Sequence, residues 1–338
     1  MNKSRKKISL ALQGGGSHGA FTWGIIERLL EEDILDIRGI CGTSAGAMNA
    51  AITSYGLHKG GNQGAIDLLE KFWRRVANSA YFSPMQPNWL DSSLYPGSMN
   101  YPFGFNLFNL MTQVLSPYQF NPLDINPLKD IIEDLIDFEE LQQSNTKVFA
   151  CATNVKTCKP KIFKGKEITA DALMASACLP LLYKAVEING QFYWDGGYMG
   201  NPSIYPLIDD TDSNDILLVK VNSVVINEVP QTVSEIQDRI NDISFNSSLM
   251  AEMRMVYFKE KILKLGYDLR GRLRKIYFHS ISADQVLDEY NLASKFNASW
   301  SFLNTLRKKG RTSAEKWINE QYHHVGHNSS IDIRKVFV

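Results

Sequence analysis

Apolar positions near the start of the chain switch between two periods, and that switching predicts a layered α/β fold. Residues 7–12 form a short apolar strand that runs into Gly14-Gly15-Gly16. Over residues 18–32, Phe21, Ile25 and Leu29 fall at i, i+4 and i+8, and Trp23, Ile26 and Leu30 widen the stripe, which is helical spacing. A second copy follows: Ile37–Cys41 as strand, residues 42–46 as a glycine-flanked turn, and Ala47–Tyr55 as a helix of small residues ending near Gly56. Two consecutive strand–turn–helix units predict a mainly parallel sheet with covering helices.

Residues 65–77 read as an amphipathic helix through Ile66, Leu69, Phe72, Trp73 and Val76. The pattern then breaks. Residues 81–120 contain ten aromatics and five prolines, with Asp91 as the sole charge, so a regular helix is excluded and loops with short turns are expected. Such an apolar insertion either packs on the core or presents a surface to something else. Helix returns over 121–141, followed by strands at Val148–Thr153 and Lys161–Phe163 and an alanine-rich helix at Thr169–Ala177. A hairpin, Ala185–Ile188 with Gln191–Trp194, turns through Asn189-Gly190, and Ile216–Val221 is a further buried strand. Thr232 and Glu235 form a capping box that opens a helix to about Leu265. Ile276–His279 is a last strand candidate, and residues 285–320 are mostly helical. The expected division is a catalytic domain over 7–220 and a helical C-terminal extension over 221–338 packed on it.

Composition narrows the function classes. The 338 residues are 44% hydrophobic and 21% charged, which fits a packed globular protein rather than a disordered one. Thirty-six basic and thirty-six acidic side chains cancel, so the electrostatic signature of a nucleic-acid binder is missing. Cys41, Cys151, Cys158 and Cys178 are scattered without a paired C-x-x-C spacing, which points away from a zinc site or disulfide framework and toward a reducing compartment. Basic residues from Lys3 to Lys7 precede an apolar run that stops at Gln13, too short for a signal-peptide core, and no apolar stretch reaches a membrane span. The expected location is cytoplasmic or peripheral to a membrane, with no metal and no cofactor required.

Gly42-Thr43-Ser44-Ala45-Gly46 is a G-x-S-x-G pentapeptide between an apolar strand and a helix. That setting suits a nucleophile elbow, in which glycines flank a strained turn that presents the Ser44 hydroxyl at a helix N-terminus. A plain glycine-serine helix cap has the same sequence. Gly14, Gly15 and Gly16 offer consecutive backbone N–H groups without side chains, as an oxyanion hole requires; a phosphate cradle is the rival, although no complete nucleotide motif is present. For a base, Ser44 lies too near the N-terminus for the α/β-hydrolase order of strands. Of the histidines, His279, His323, His324 and His327 come late enough to serve but read as surface or tail residues. Asp195, in Trp194-Asp195-Gly196-Gly197, ends a hairpin strand. It is either a structural turn residue or a carboxylate whose ordinary pKa of about 3.9 must be raised by removal from water before it can accept a serine proton.

Taken in order and spacing, four blocks resemble the signature of the patatin-like phospholipase family: Gly14-Gly-Gly-Ser-His-Gly19, Gly42-Thr-Ser44-Ala-Gly46, Ala175-Ser-Ala-Cys-Leu-Pro180 and Asp195-Gly196-Gly197. The resemblance implies a three-layer α/β/α fold with a mainly parallel sheet and a C-terminal helical extension. It implies Ser44 as nucleophile, Asp195 as its proton acceptor and Gly14–Gly16 as the oxyanion loop, supported by Gly19, Gly42, Gly46, Gly196 and Gly197. His18 stands where the family usually carries a basic residue, so its role is positioning or charge. Gln13 stands where many members have glycine or aspartate, and Ser176 and Pro180 are scaffold near the site. The implied substrate is a lipid or fatty-acyl ester, with peripheral membrane contact and no nucleic acid. An acyltransferase or thioesterase using the same serine, or a non-catalytic lipid-binding protein, are the alternatives. The insertion at 81–120 and an amphipathic stretch at Trp300–Leu306, followed by Arg307, Lys308, Lys309 and Arg311, are the two candidate lipid-facing segments. The second also reads as an ordinary helix with one solvated face.

Overall fold

The computed structural model describes residues 5–80, 110–112, 114–226, 228–266, 274–284, 286–288 and 290–338. Most of the insertion expected over 81–120 lies outside the described residues. Eight strands build one sheet: β1 (Lys6–Leu12), β2 (Leu35–Thr43), β3 (Lys147–Asn154), β4 (Pro160–Lys164), β5 (Val186–Ile188), β6 (Gln191–Asp195), β7 (Asp215–Lys220) and β8 (Tyr277–Ser282). Their order is β5-β6-β3-β2-β1-β7-β8, with β4 also on β3. The five strands from β3 to β8 run parallel, and β4, β5 and β6 pair antiparallel at one side.

Side chains alternate across this sheet and fill two cores. Leu10, Leu12, Ile40, Val148, Ala150, Leu217 and Val219 join helices α1 (Gly19–Glu32) and α2 (Ala45–Ala80) on one face. Ala11, Cys41, Phe149, Ile216 and Leu218 meet Leu249, Met253 and Val256 of the Val233–Lys264 helix on the other. The central strands read as continuous apolar runs because both of their faces are buried. The result is the expected three-layer α/β/α fold with a mainly parallel sheet and C-terminal helices. β8, from the extension, pairs in parallel with β7, so the sheet continues past residue 220.

One element departs from its sequence reading, and another is decided between two. The helix expected to end near Gly56 runs on to a kink at Gly60 and Gly61, because Gly56 lies against Ala65 and Gly64, where the two arms cross closely. Its missing side chain serves packing rather than termination. The basic amphipathic stretch, open between a lipid-facing and an ordinary helix, lies in the Trp300–Gln321 helix and follows the second reading. Phe302, Leu303 and Leu306 are buried, and Gly310 sits directly on the Phe21 carbonyl of α1. Arg307 grips the buried Glu27 with two hydrogen bonds of 2.6 Å, and Arg311 does the same to Glu31 at 2.7 and 2.8 Å. A helix that commits its apolar face and its arginines to α1 has neither left for a membrane surface.

Candidate active site

Strand pairing explains how Ser44 and Asp195 meet. β2 lies along one edge of β3 and ends with Thr43 opposite Cys151. The next residue of β3, Ala152, pairs on the same edge with Asp195 of β6. Two strands therefore abut end to end along β3, and the chain leaves the sheet at Ser44 just where β6 delivers Asp195. Gly196 lies against the Cys151 carbonyl and Thr43 Cγ2, with no room for a side chain between the two strand ends.

Ser44 has φ +54°, a left-handed conformation rarely adopted by a residue with a side chain. Gly42 and Gly46 make the turn feasible, since a Cβ on Gly42 would collide with the backbone of Gly46 and one on Gly46 with the Leu12 carbonyl. The Ser44 N–H donates to the buried Ser176 hydroxyl at 3.0 Å, and the Ser44 carbonyl accepts from Ala47 and Met48 as α2 begins. Ser44 thus stands at the positive end of a helix.

Asp195 is fully buried. Its backbone is fixed by its N–H to the Cys178 carbonyl at 2.7 Å and by the Thr153 hydroxyl on its own carbonyl at 2.8 Å. Oδ1 accepts the Gly197 N–H at 2.7 Å, while Oδ2 has no well-formed hydrogen bond. Removal from water pushes the carboxyl up from 3.8 to about 7, opposed by the Gly197 N–H and by the nearby Ser44 hydroxyl. A carboxyl that titrates near neutrality beside a serine can exchange a proton with it.

The glycine loop leads from β1 to α1. The Gly14 N–H donates to Asn201 Oδ1 at 2.7 Å, so this donor is already engaged. Gly15 and Gly16 border the cavity that contains Ser44 and Asp195. Gly16 has φ +56° and lies directly on the Lys295 carbonyl. Gln13 is a buried hub, donating to the Asn201 carbonyl and Asn246 Oδ1 while its Oε1 accepts from the N–H groups of Val221 and Asn222. Gly19 packs on Ala45, and Gly197 packs on Phe245. The cavity measures about 210 Å³, and Leu179, Leu181, Leu182, Phe245, Leu292 and Phe296 give it an apolar wall. Pro180 and Thr112 also reach it.

His18 is buried, hydrogen-bonded through Nε2 to Ser294 Oγ at 2.7 Å, and pushed down to about 3 by desolvation and then by the Lys295 charge. It is neutral at physiological pH, which leaves positioning and removes charge from its two expected roles. His279 corrects the surface reading: it is completely buried in β8, with Nε2 2.9 Å from Asp215 Oδ1 and Nδ1 3.2 Å from Ser330 Oγ. It ties the tail to the sheet and does not line the cavity of Ser44. Of the further residues that shape the site, Asn201 has only a weak sequence signal, standing next to a proline shortly after Asp195-Gly-Gly, and Ser294 and Lys295 have none. Among the described residues no group of three or more His, Cys, Asp or Glu side chains is arranged to hold a metal ion, and no helix is long and apolar enough to cross a membrane.

Fold and site together define an α/β protein with a serine elbow and a buried carboxyl at one cavity. The family model described as patatin-like phospholipase matches residues 10–208. The chain belongs to the patatin-like phospholipase family, which places it at family level among lipid acyl hydrolases acting on ester bonds. Among solved structures it is similar to VipD from Legionella pneumophila, with 14% identity and a TM-score of 0.42 over 93% of this chain and 67% of that one. It is also similar to the type III effector protein ExoU, with 15% identity and a TM-score of 0.31 over 92% of this chain and 53% of that one. The chain therefore spans about half the length of ExoU. No curated protein sequence matches it.

Proposed function

We propose that the protein hydrolyses fatty-acyl esters of lipids through a Ser44–Asp195 dyad. The observation that carries this reading is the meeting of a strained serine at a helix N-terminus with a buried carboxyl of pKa about 7, at the floor of an apolar cavity. Ser44 Oγ attacks the ester carbonyl while its proton passes to Asp195. The N–H groups of Gly15 and Gly16 hold the oxyanion, since that of Gly14 is engaged by Asn201. Collapse of the tetrahedral species expels the alcohol, which takes the proton from Asp195 and leaves an acyl-Ser44 ester. Water then attacks this ester with Asp195 as base, releasing the acid and restoring the serine. The helix dipole of α2 favours the developing alkoxide.

Leu181 lines the cavity yet is 62% exposed, and Tyr198 beside it is 38% exposed. Such an apolar rim supports peripheral contact with a lipid surface. A fluorophosphonate probe is expected to label Ser44, mapped by peptide mass spectrometry, and Ser44→Ala is expected to lose p-nitrophenyl butyrate hydrolysis by at least about a thousandfold. Near wild-type turnover in Ser44→Ala, or labelling elsewhere, would reject the dyad. Diversion of the acyl group to an added alcohol or thiol distinguishes a transferase from a hydrolase.

A further inference from the structure

The glycine loop is held from behind by amide side chains that come from far along the chain. Gly14 has both of its backbone polar groups engaged: its N–H donates to Asn201 Oδ1 at 2.7 Å, and its carbonyl accepts from Asn222 Nδ2 at 2.8 Å. Gln13 joins the two clamps, with Nε2 on the Asn201 carbonyl and Oε1 accepting the N–H groups of Val221 and Asn222 at 2.9 and 3.1 Å. Gln13, Asn201 and Asn222 are all buried. Asn222 follows β7 and lies beyond residues 10–208, the span that the family model matches.

The orientation of the Asn222 amide is set by its far end. Its Oδ1 accepts from Lys295 Nζ at 2.9 Å, and an ammonium only donates, so the oxygen faces Lys295 and Nδ2 faces Gly14. Lys295 keeps its ion pair with Asp242 at 3.2 Å in this arrangement. Peptide geometry then carries the contact to the cavity. The Gly14–Gly15 peptide is trans, so its C=O and N–H point in opposite directions. With the Gly14 carbonyl turned to Asn222, which does not border the cavity of Ser44, the Gly15 N–H is turned the other way, and Gly15 does border that cavity. The next peptide is set locally, its Gly15 carbonyl accepting the His18 N–H at 3.1 Å.

Resting on the acyl-hydrolase reading, we propose that Asn222 is a positioning residue of the oxyanion hole, fixing the Gly14–Gly15 peptide so that the Gly15 N–H meets the oxyanion formed on attack by Ser44. The loop cannot be stiffened from within. A Cβ on Gly14 would fall 2.6 Å from the Thr43 carbonyl oxygen and 2.8 Å from Ser44 Cβ, so that residue must remain the most pliable one. Stiffness is supplied from outside, by a side chain beyond the family span and by the lysine that orients it. Because the N–H is needed where charge develops rather than where the acyl chain packs, the contribution of Asn222 falls on the transition state.

The test compares the full chain with Asn222→Asp and Asn222→Ala in p-nitrophenyl butyrate hydrolysis and thermal melts. Asn222→Asp keeps the size of the side chain and an oxygen for Lys295, but sets a second oxygen against the Gly14 carbonyl in place of the donor. Both variants are expected to lose about tenfold to a hundredfold in kcat, up to the lower end of what removing a direct oxyanion donor costs, with KM within about twofold. A pair of ketones separates positioning from a general structural role. A trifluoromethyl alkyl ketone, which forms a hemiketal on Ser44 and so places an oxygen anion in the hole, should weaken by about the factor lost in kcat/KM, while the corresponding methyl ketone stays within about twofold. Unchanged kcat in Asn222→Asp, a raised KM at constant kcat, or equal weakening of both ketones overturns the proposal. If Asn222→Ala does not fold, Asn222→Asp decides alone. Failure of the acyl-hydrolase reading is distinct, because it shows as absence of hydrolysis in the wild-type chain.

Discussion

Replacing Asp195 by asparagine should stabilise the protein increasingly as pH rises. In the fold the carboxyl titrates near 7, against 3.8 when exposed to water, and desolvation is the main cause. A group whose folded pKa is raised favours the folded state fully below its unfolded pKa, and that contribution is lost as pH rises toward the folded value. At about 1.4 kcal/mol per pK unit, holding the carboxylate in the fold costs about 2 kcal/mol at pH 5 and about 4 kcal/mol at pH 8. Asparagine is isosteric, can still accept the Gly197 N–H through its amide oxygen, and does not titrate. Its amide also brings a buried donor, which shifts the stability of the variant by a constant amount at every pH. That constant cancels in the difference between the two pH values. The advantage of Asp195→Asn over the parent should therefore grow by about 2.5 kcal/mol from pH 5 to pH 8, or about 3.5 °C in Tm for a chain of this size. Paired thermal melts followed by circular dichroism measure it. A Tm difference that stays constant over this interval would refute the raised pKa and, with it, the reason for regarding Asp195 as a base near neutrality.

The same titration predicts that kcat/KM for an ester without ionisable groups rises with pH to a plateau above 8, with about a tenth of the plateau value at pH 6. A profile flat from pH 5 to 8, read at the nitrophenol isosbestic wavelength, removes Asp195 from proton transfer. Gly310→Ala should cost about 1–3 kcal/mol, because the new methyl group lands on the Phe21 carbonyl where α1 crosses the Trp300–Gln321 helix. Urea unfolding would show it as a lowered midpoint at unchanged slope, and an unmoved midpoint would mean that the crossing is looser than described.

The parts legible in the sequence were the local ones. The β1–glycine loop–α1 and β2–elbow–α2 units announce themselves because strand period, turn chemistry and helix period follow one another within a few residues. Ser176 was recognisable as scaffold from its block, although only the fold reveals that its hydroxyl receives the Ser44 N–H. What stayed hidden depends on contacts between distant segments. Gly56 looks like a helix stop until Ala65 is found packed against it. His279 looks like one of several late histidines until β8 joins the sheet and closes it over Asp215. The basic run after Leu306 has the pattern of a surface helix, and only the partners Glu27 and Glu31 show that its arginines are committed to α1. Lys295 carries no local signal at all, because its place beside Gly16 is created by the folding of the C-terminal extension onto the N-terminal loop.

The end-to-end meeting of β2 and β6 along β3 has a consequence for the timing of activity. The relative placement of Ser44 and Asp195 is set by backbone ladders rather than by flexible side chains, so the proposed dyad can form only once β6 has closed on β3. The Leu292–Phe296 turn, which clamps Gly16 and walls the cavity, is synthesised later still. A nascent or prematurely ended chain therefore carries Ser44 in an unwalled cleft, and the ester hydrolysis we propose is expected only after the C-terminal segment has folded onto the glycine loop.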